Sequence, residues 1–201
     1  MCSIIKKAFE WLLSPYGLLI LSFAVLFIGR FIFKQTYLNC FEIIRKHIEC
    51  FRKNNGKISL LSIFMYFIIP CFIAIALVRI RNIDDSVINL LTVIVSILTS
   101  MFFTLLTLIL DMREKVRGNS SYNAGDAALS LKLLKETYYS IMFEILVSVV
   151  ILLTCFTELF SKQFHWIWGF IIYYLSFVLL LNLFMILKRI YKVINKDLEN
   201  S

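Results

Sequence analysis

The chain has 201 residues, 60% of them hydrophobic and 17% charged, with a mean hydropathy of +0.84 and a formal net charge of +8. This composition argues against a separate soluble domain, because the longest polar connections, Lys34–Lys57 and Asp111–Glu136, are too short for an independent core. Cys2, Cys40, Cys50, Cys71 and Cys155 are dispersed, form no CxxC and share no histidine at ligand spacing, so neither a disulfide scaffold nor a zinc centre is expected.

Five apolar runs bounded by charge follow one another: Tyr16–Phe33, Ser59–Val78, Ser86–Leu110, Thr137–Phe160 and Trp166–Leu187. A helix rising about 1.5 Å per residue needs roughly 20 apolar residues to cross about 30 Å of hydrocarbon. Lipid offers the backbone no hydrogen-bond partner, so such runs must be helical. The expected class is all-α, a single polytopic helical membrane domain over residues 1–201. It has five spans, or four if the first run is re-entrant or in-plane. Lys6 and Lys7 precede that run as in a signal peptide, but its apolar core is longer than a usual signal core. Ile28–Phe33 also lacks a small-x-small cleavage site, so the run is expected to be retained. Arg30, near its end, can snorkel to the interface.

In the first connection, Tyr37, Phe41, Ile44, Ile48 and Phe51 repeat at heptad spacing, flanked by Arg45, Lys46, Arg52 and Lys53. That pattern predicts a basic amphipathic helix within 34–57, able to meet anionic lipid, a soluble partner or a second copy of the chain. Direct nucleic-acid binding is not expected, because the patch is short and its aromatics fall on the apolar seam. His47 and His165 stand alone and are expected to be solvated or interfacial. Pro70, inside the second run, should kink its helix by removing one backbone bond.

The third run carries a polar stripe. At 100° per residue Asn89, Thr92, Ser96, Ser100, Thr104, Thr107 and Asp111 share about a third of the circumference. Such a face avoids lipid, so these residues are candidates for a pore lining or an oligomer interface. The alternative is helix packing, with small hydroxyls bonding back to their own carbonyls. In the connection 111–136, the polar string Gly118–Gly125 predicts a turn, and Asp126 is placed to cap a helix leading into the fourth run. Glu144 lies roughly 10 Å inside that run and is expected to bond to Asn182 or Thr104, or else to serve an ion path. Glu158 is expected at headgroups or water.

Basic residues concentrate in the first and third connections and after Leu187, which predicts that these face the cytoplasm and makes the net charge a topology signal. Trp166, Trp168, Tyr173 and Tyr174 fit an outer aromatic belt, and Tyr138 and Tyr139 an inner one. No motif of phosphate binding, nucleophilic catalysis or metal hydrolysis occurs, so no enzyme activity, cofactor or metal is expected.

Three strings, Val93–Thr104, Leu133–Ile141 and Leu187–Tyr191, together with the layout of residues 59–192, resemble the small membrane proteins of bacterial anti-phage systems, such as the Kiwa membrane subunit and retron-associated membrane effectors. The resemblance implies an inner-membrane protein that oligomerises, senses or causes membrane perturbation, and works with a soluble cytoplasmic partner. For the Kiwa subunit it implies four spans, one fewer than the apolar runs. A stand-alone channel or holin-like protein, and a membrane scaffold without transport, remain the other readings.

Overall fold

A computed structural model describes residues 40–51, 60–118, 124–159 and 166–200, together with Gly17, Leu18, Leu21, Ala24 and Val25. The chain divides into two compact units, Met1–Phe41 and Glu42–Ser201. In the first, Gly17, Leu18, Leu21, Ala24, Val25 and Phe41 are helical and Cys40 lies in a turn. Tyr37, Arg52, Lys53, Arg30 and His165 lie outside the described residues.

The described residues are all-helical, with no strand among them. They comprise α1 (Phe41–Glu49), α2 (Leu60–Ile63), a π turn (Phe64–Ile68), α3 (Ile69–Ile80), α4 (Asp85–Gly118), α5 (Ala124–Glu158) and α6 (Trp166–Asn200). Three helices, α4, α5 and α6, are long and apolar enough to cross a membrane, and Phe64–Ile80 is a shorter apolar stretch. The polar connections prove largely helical. Helix α4 runs on to Gly118 and α5 begins at Ala124, so Asp126 lies within the first turn of α5 rather than before it.

A π turn stands immediately before Ile69 and Pro70. The Ile69 N–H reaches the Phe64 carbonyl, one residue further back than in an α-helix, and Pro70 opens α3 where its missing N–H is tolerated. Four residues, Arg81–Asp84, then join α3 to α4. Asp84 caps α4, its Oδ1 accepting the Val87 N–H at 2.9 Å, and Arg81 pairs with its other oxygen. These contacts, the Val87 N–H first, hold the Asp84 carboxyl below its usual range. The loop crosses the start of α6 at Gly169, where a Cβ would meet the Asn82 Oδ1 at 3.0 Å.

Helix α4 packs on α5, α5 on α6, and α6 on α3 and the π turn, so the spatial order is α3, α6, α5, α4. The contact of α4 repeats every seventh residue: Ile88, Val95, Phe102, Ile109 and Val116 are buried, with Leu91, Leu98, Leu105 and Met112 half-buried between them. A period of 3.5 keeps one seam on the neighbour, the knobs-into-holes condition for long helices crossing at about 20°. Helix α5 answers with Leu134, Ile141, Ser148 and Cys155, all fully buried and again seven apart. A second row on α5, four residues out of step, comprises Ser130, Thr137, Glu144, Ile151 and Glu158. Helix α5 is therefore central, with 44% of its apolar window buried against 17% for α4.

Candidate functional site

The polar groups fall into three separate places. The first is a clasp joining α1, α5 and α6. Arg189, expected only as a charge in the C-terminal tail, is 12% exposed at its side chain. Its Nη1 donates to the Ser140 Oγ at 2.7 Å and to the Glu136 carbonyl at 3.2 Å. Its Nη2 donates to the Cys50 carbonyl at 3.4 Å and lies 3.6 Å from the Glu136 Oε2. A planar guanidinium with five donors suits such a junction, where several acceptors converge on one cation. The Cys50 thiol donates to the Lys46 carbonyl and stands 3.7 Å from that of Glu136; burial pushes it up to about 11, against the pull of Arg189. It is a packed thiol, not a nucleophile.

His47 overturns its expected solvated role. It is fully buried, stacked on Phe143 of α5 with ring centroids 4.0 Å apart and edge-on to Phe51 at 5.2 Å. Both ring nitrogens lack a hydrogen-bond partner, and burial, then the nearby Arg189 charge, lowers its pKa to about 3. Phe51 continues the contact to Tyr66 and Phe67 of the π turn. The inward face of α1 thus differs from the heptad expectation: His47 and Phe51 point in, with Ile43 and Ile44 packed on the core, while Phe41 and Ile48 are exposed. Aromatic stacking selects His47 for the interior despite its polarity. Arg45 and Lys46 stay at the surface, paired with Glu49 at 3.4 and 3.1 Å.

The second place is the α5–α6 contact. Glu144 and Asn182 are both fully buried and adjacent, as expected, yet their carboxyl and carboxamide atoms fall short of hydrogen-bonding geometry. Ser148, one turn along α5 in the row that answers α4, is buried with its hydroxyl also unmatched. Thr104 takes no part; it is exposed on α4 and bonds to the Ser100 carbonyl. Glu158, expected near headgroups, is instead buried at 4% exposure beside Cys155.

The third place is the stripe on α4. Asn89, Ser96, Ser100, Thr104, Thr107 and Asp111 are exposed, and Thr92 is half-buried against Cys155. Thr92, Ser96, Thr104 and Thr107 each donate to the carbonyl four residues back, at 2.7 to 3.3 Å. The stripe begins beside the α5 seam and ends opposite it, because its period differs from seven. The structure therefore does not bring Glu144 or Asn182 to the stripe.

No family model, curated protein or solved structure matches the chain. Among the described residues no group of three or more His, Cys, Asp or Glu side chains is placed to hold a metal ion.

Proposed function

We propose that this chain is a multi-spanning protein of the cell inner membrane that self-associates through the outer face of α4 and serves in an anti-phage system. The observation that carries the membrane and self-association reading is the outer surface of α4. Leu90, Val93, Ile97, Met101 and Phe103 are each more than half exposed, with the hydroxyl stripe running between them. So large an apolar surface is unfavourable in water and suits lipid. Within it, small hydroxyl residues mark the line along which a second helix approaches most closely. Five crossings, with the basic connections and the C-terminus in the cytoplasm, complete the topology. The clasp supports it, since Cys50, Glu136 and Arg189 come from the three basic regions and meet at one end of the bundle. The defence role rests on the resemblance alone. Its mechanism would be sensing or causing membrane perturbation, with α1 available to a soluble partner through Arg45 and Lys46.

The defence role is tested by phage plating on cells with and without the gene in its native neighbourhood. Protection lost on deletion supports it, and unchanged plating across a broad phage panel removes it. A stand-alone channel or holin-like protein is the second reading, favoured by the unmatched polar atoms of Glu144, Ser148 and Asn182. Ion flux into liposomes that falls in Glu144→Gln supports it; a tight bilayer with wild-type protein under every trigger defeats it.

A further inference from the structure

Between α4 and α5, at the same end as the clasp, lies a cavity of about 290 Å3 with a graded lining. Its lining comprises the cations Arg113 and Lys135, the phenols Tyr138 and Tyr139, and the apolar Ile109, Leu110 and Leu134. The helix period produces this grading. Arg113 is one turn beyond Ile109 and Leu110 as α4 leaves its apolar stretch, and Lys135 is one turn before the tyrosines as α5 enters its own. No carboxylate lines the cavity. Arg113 and Lys135 have no acidic partner within 4 Å among the described residues, as is also true of Arg79, Arg117, Lys188 and Lys192. Glu114 and Glu136, the acids adjacent in sequence to Arg113 and Lys135, do not line the cavity, and Asp111 is directed to Lys115 at 3.7 Å.

From this we infer that the cavity is a binding site for the headgroup of an anionic phospholipid, a proposal that rests on the membrane-spanning reading above. Two cations without carboxylates select net negative charge, and two phenol hydroxyls add donors for phosphate oxygens. The apolar part of the lining includes Leu110, which is 43% exposed and can take an acyl chain. A free phosphate would use the two cations and gain nothing from the apolar lining. A zwitterionic lipid would bring an ammonium toward Arg113 and Lys135. A basic, aromatic-edged pocket between helices at the membrane boundary is what an anionic headgroup requires.

The test compares wild type, Arg113→Gln/Lys135→Gln and a control, Lys188→Gln/Lys192→Gln, whose charges lie exposed on α6. Membranes are first washed at alkaline pH; if the wild type is released, the spanning reading itself fails. Protein that stays is purified in neutral detergent and titrated with fluorescent phosphatidylglycerol or phosphatidylcholine, with and without millimolar inorganic phosphate. The expected result is about tenfold preference for phosphatidylglycerol in wild type and control, lost in the Arg113/Lys135 variant. A wild type without preference, or a variant that keeps it, overturns the site. Displacement of the lipid by inorganic phosphate alone overturns the lipid as occupant. Tyr138→Phe/Tyr139→Phe, which keeps the packing, should weaken the preference by a smaller factor and guards against loss through misfolding.

Discussion

Helices α4 and α5 are nearly equal in length and comparably apolar, yet they dispose of their polar residues in opposite ways. Helix α5 buries Ser130, Thr137, Ser140, Glu144, Ser148, Thr154 and Glu158, whereas α4 turns Asn89, Ser96, Ser100, Thr104 and Thr107 outward and buries Ile88, Val95, Phe102 and Ile109. The central helix uses some polar groups to bind neighbours, as Ser140 does by accepting from Arg189. The peripheral helix satisfies most of its hydroxyls within its own backbone, which leaves them compatible with any close-packed neighbour. Polar residues in an apolar helix mark a contact within the chain for α5, and on the proposed reading a contact with a second copy for α4.

The sharpest way to break the contrast is at the clasp. Arg189→Met removes a mostly buried cation from the Glu136 carboxylate, the Ser140 hydroxyl and the Glu136 and Cys50 carbonyls, an expected loss of about 3–5 kcal/mol in detergent melting. Phe102→Ala opens the α4 seam and should cost about 2–4 kcal/mol, while Ser100→Ala on the opposite face should leave the melting of the monomer unchanged. The α5–α6 contact should respond in the other sense. Replacing both Glu144 and Asn182 by Leu removes unmatched buried polar atoms and should raise stability by about 1–2 kcal/mol; a lower melting temperature would show that the pair is bonded through something else.

The smallest effect concerns His47. Its pKa of about 3 when docked lies below the 6.5 of a free histidine, so the neutral ring is the docked form. Docking of α1 is then at full strength above pH 6.5 and weakens as pH falls toward 3. From pH 7.5 to 5.5 the loss is about tenfold, or about 1.4 kcal/mol. Protease sensitivity of the α1 region should rise over that interval in wild type and stay flat in His47→Phe.

How much of this was legible beforehand differs by residue. Apolar runs announced the three long helices, because lipid leaves helix as the usual backbone solution. Their extents were not legible: Val116 and Ser130 continue the buried rows into charged sequence that looks like loop, and Ala124 and Gly125 join α5 ahead of the cap expected at Asp126. The stripe on α4 could be drawn from spacing, but its direction could not. In an apolar helix every remaining face is Leu, Ile, Val, Phe or Met, and only the row at 88, 95, 102, 109 and 116 separates the seam from the rest. Depth brought Glu144 and Asn182 together as neighbours, though not their hydrogen bond, and it failed for Thr104, since equal depth does not imply a shared interface. His47 and Arg189 gave no signal of their own. Their burial depends on Phe143, Glu136 and Ser140, which lie far away in sequence.

The central claim, that the outer face of α4 meets a second copy of the chain, is tested most directly by cysteine cross-linking in native membranes. In a background with the five native cysteines replaced, single cysteines at Ser96, Ser100 and Thr107 should cross-link into dimers, and those at Val95 and Phe102 should not. Cross-links at the buried row, or none at the stripe, would contradict it.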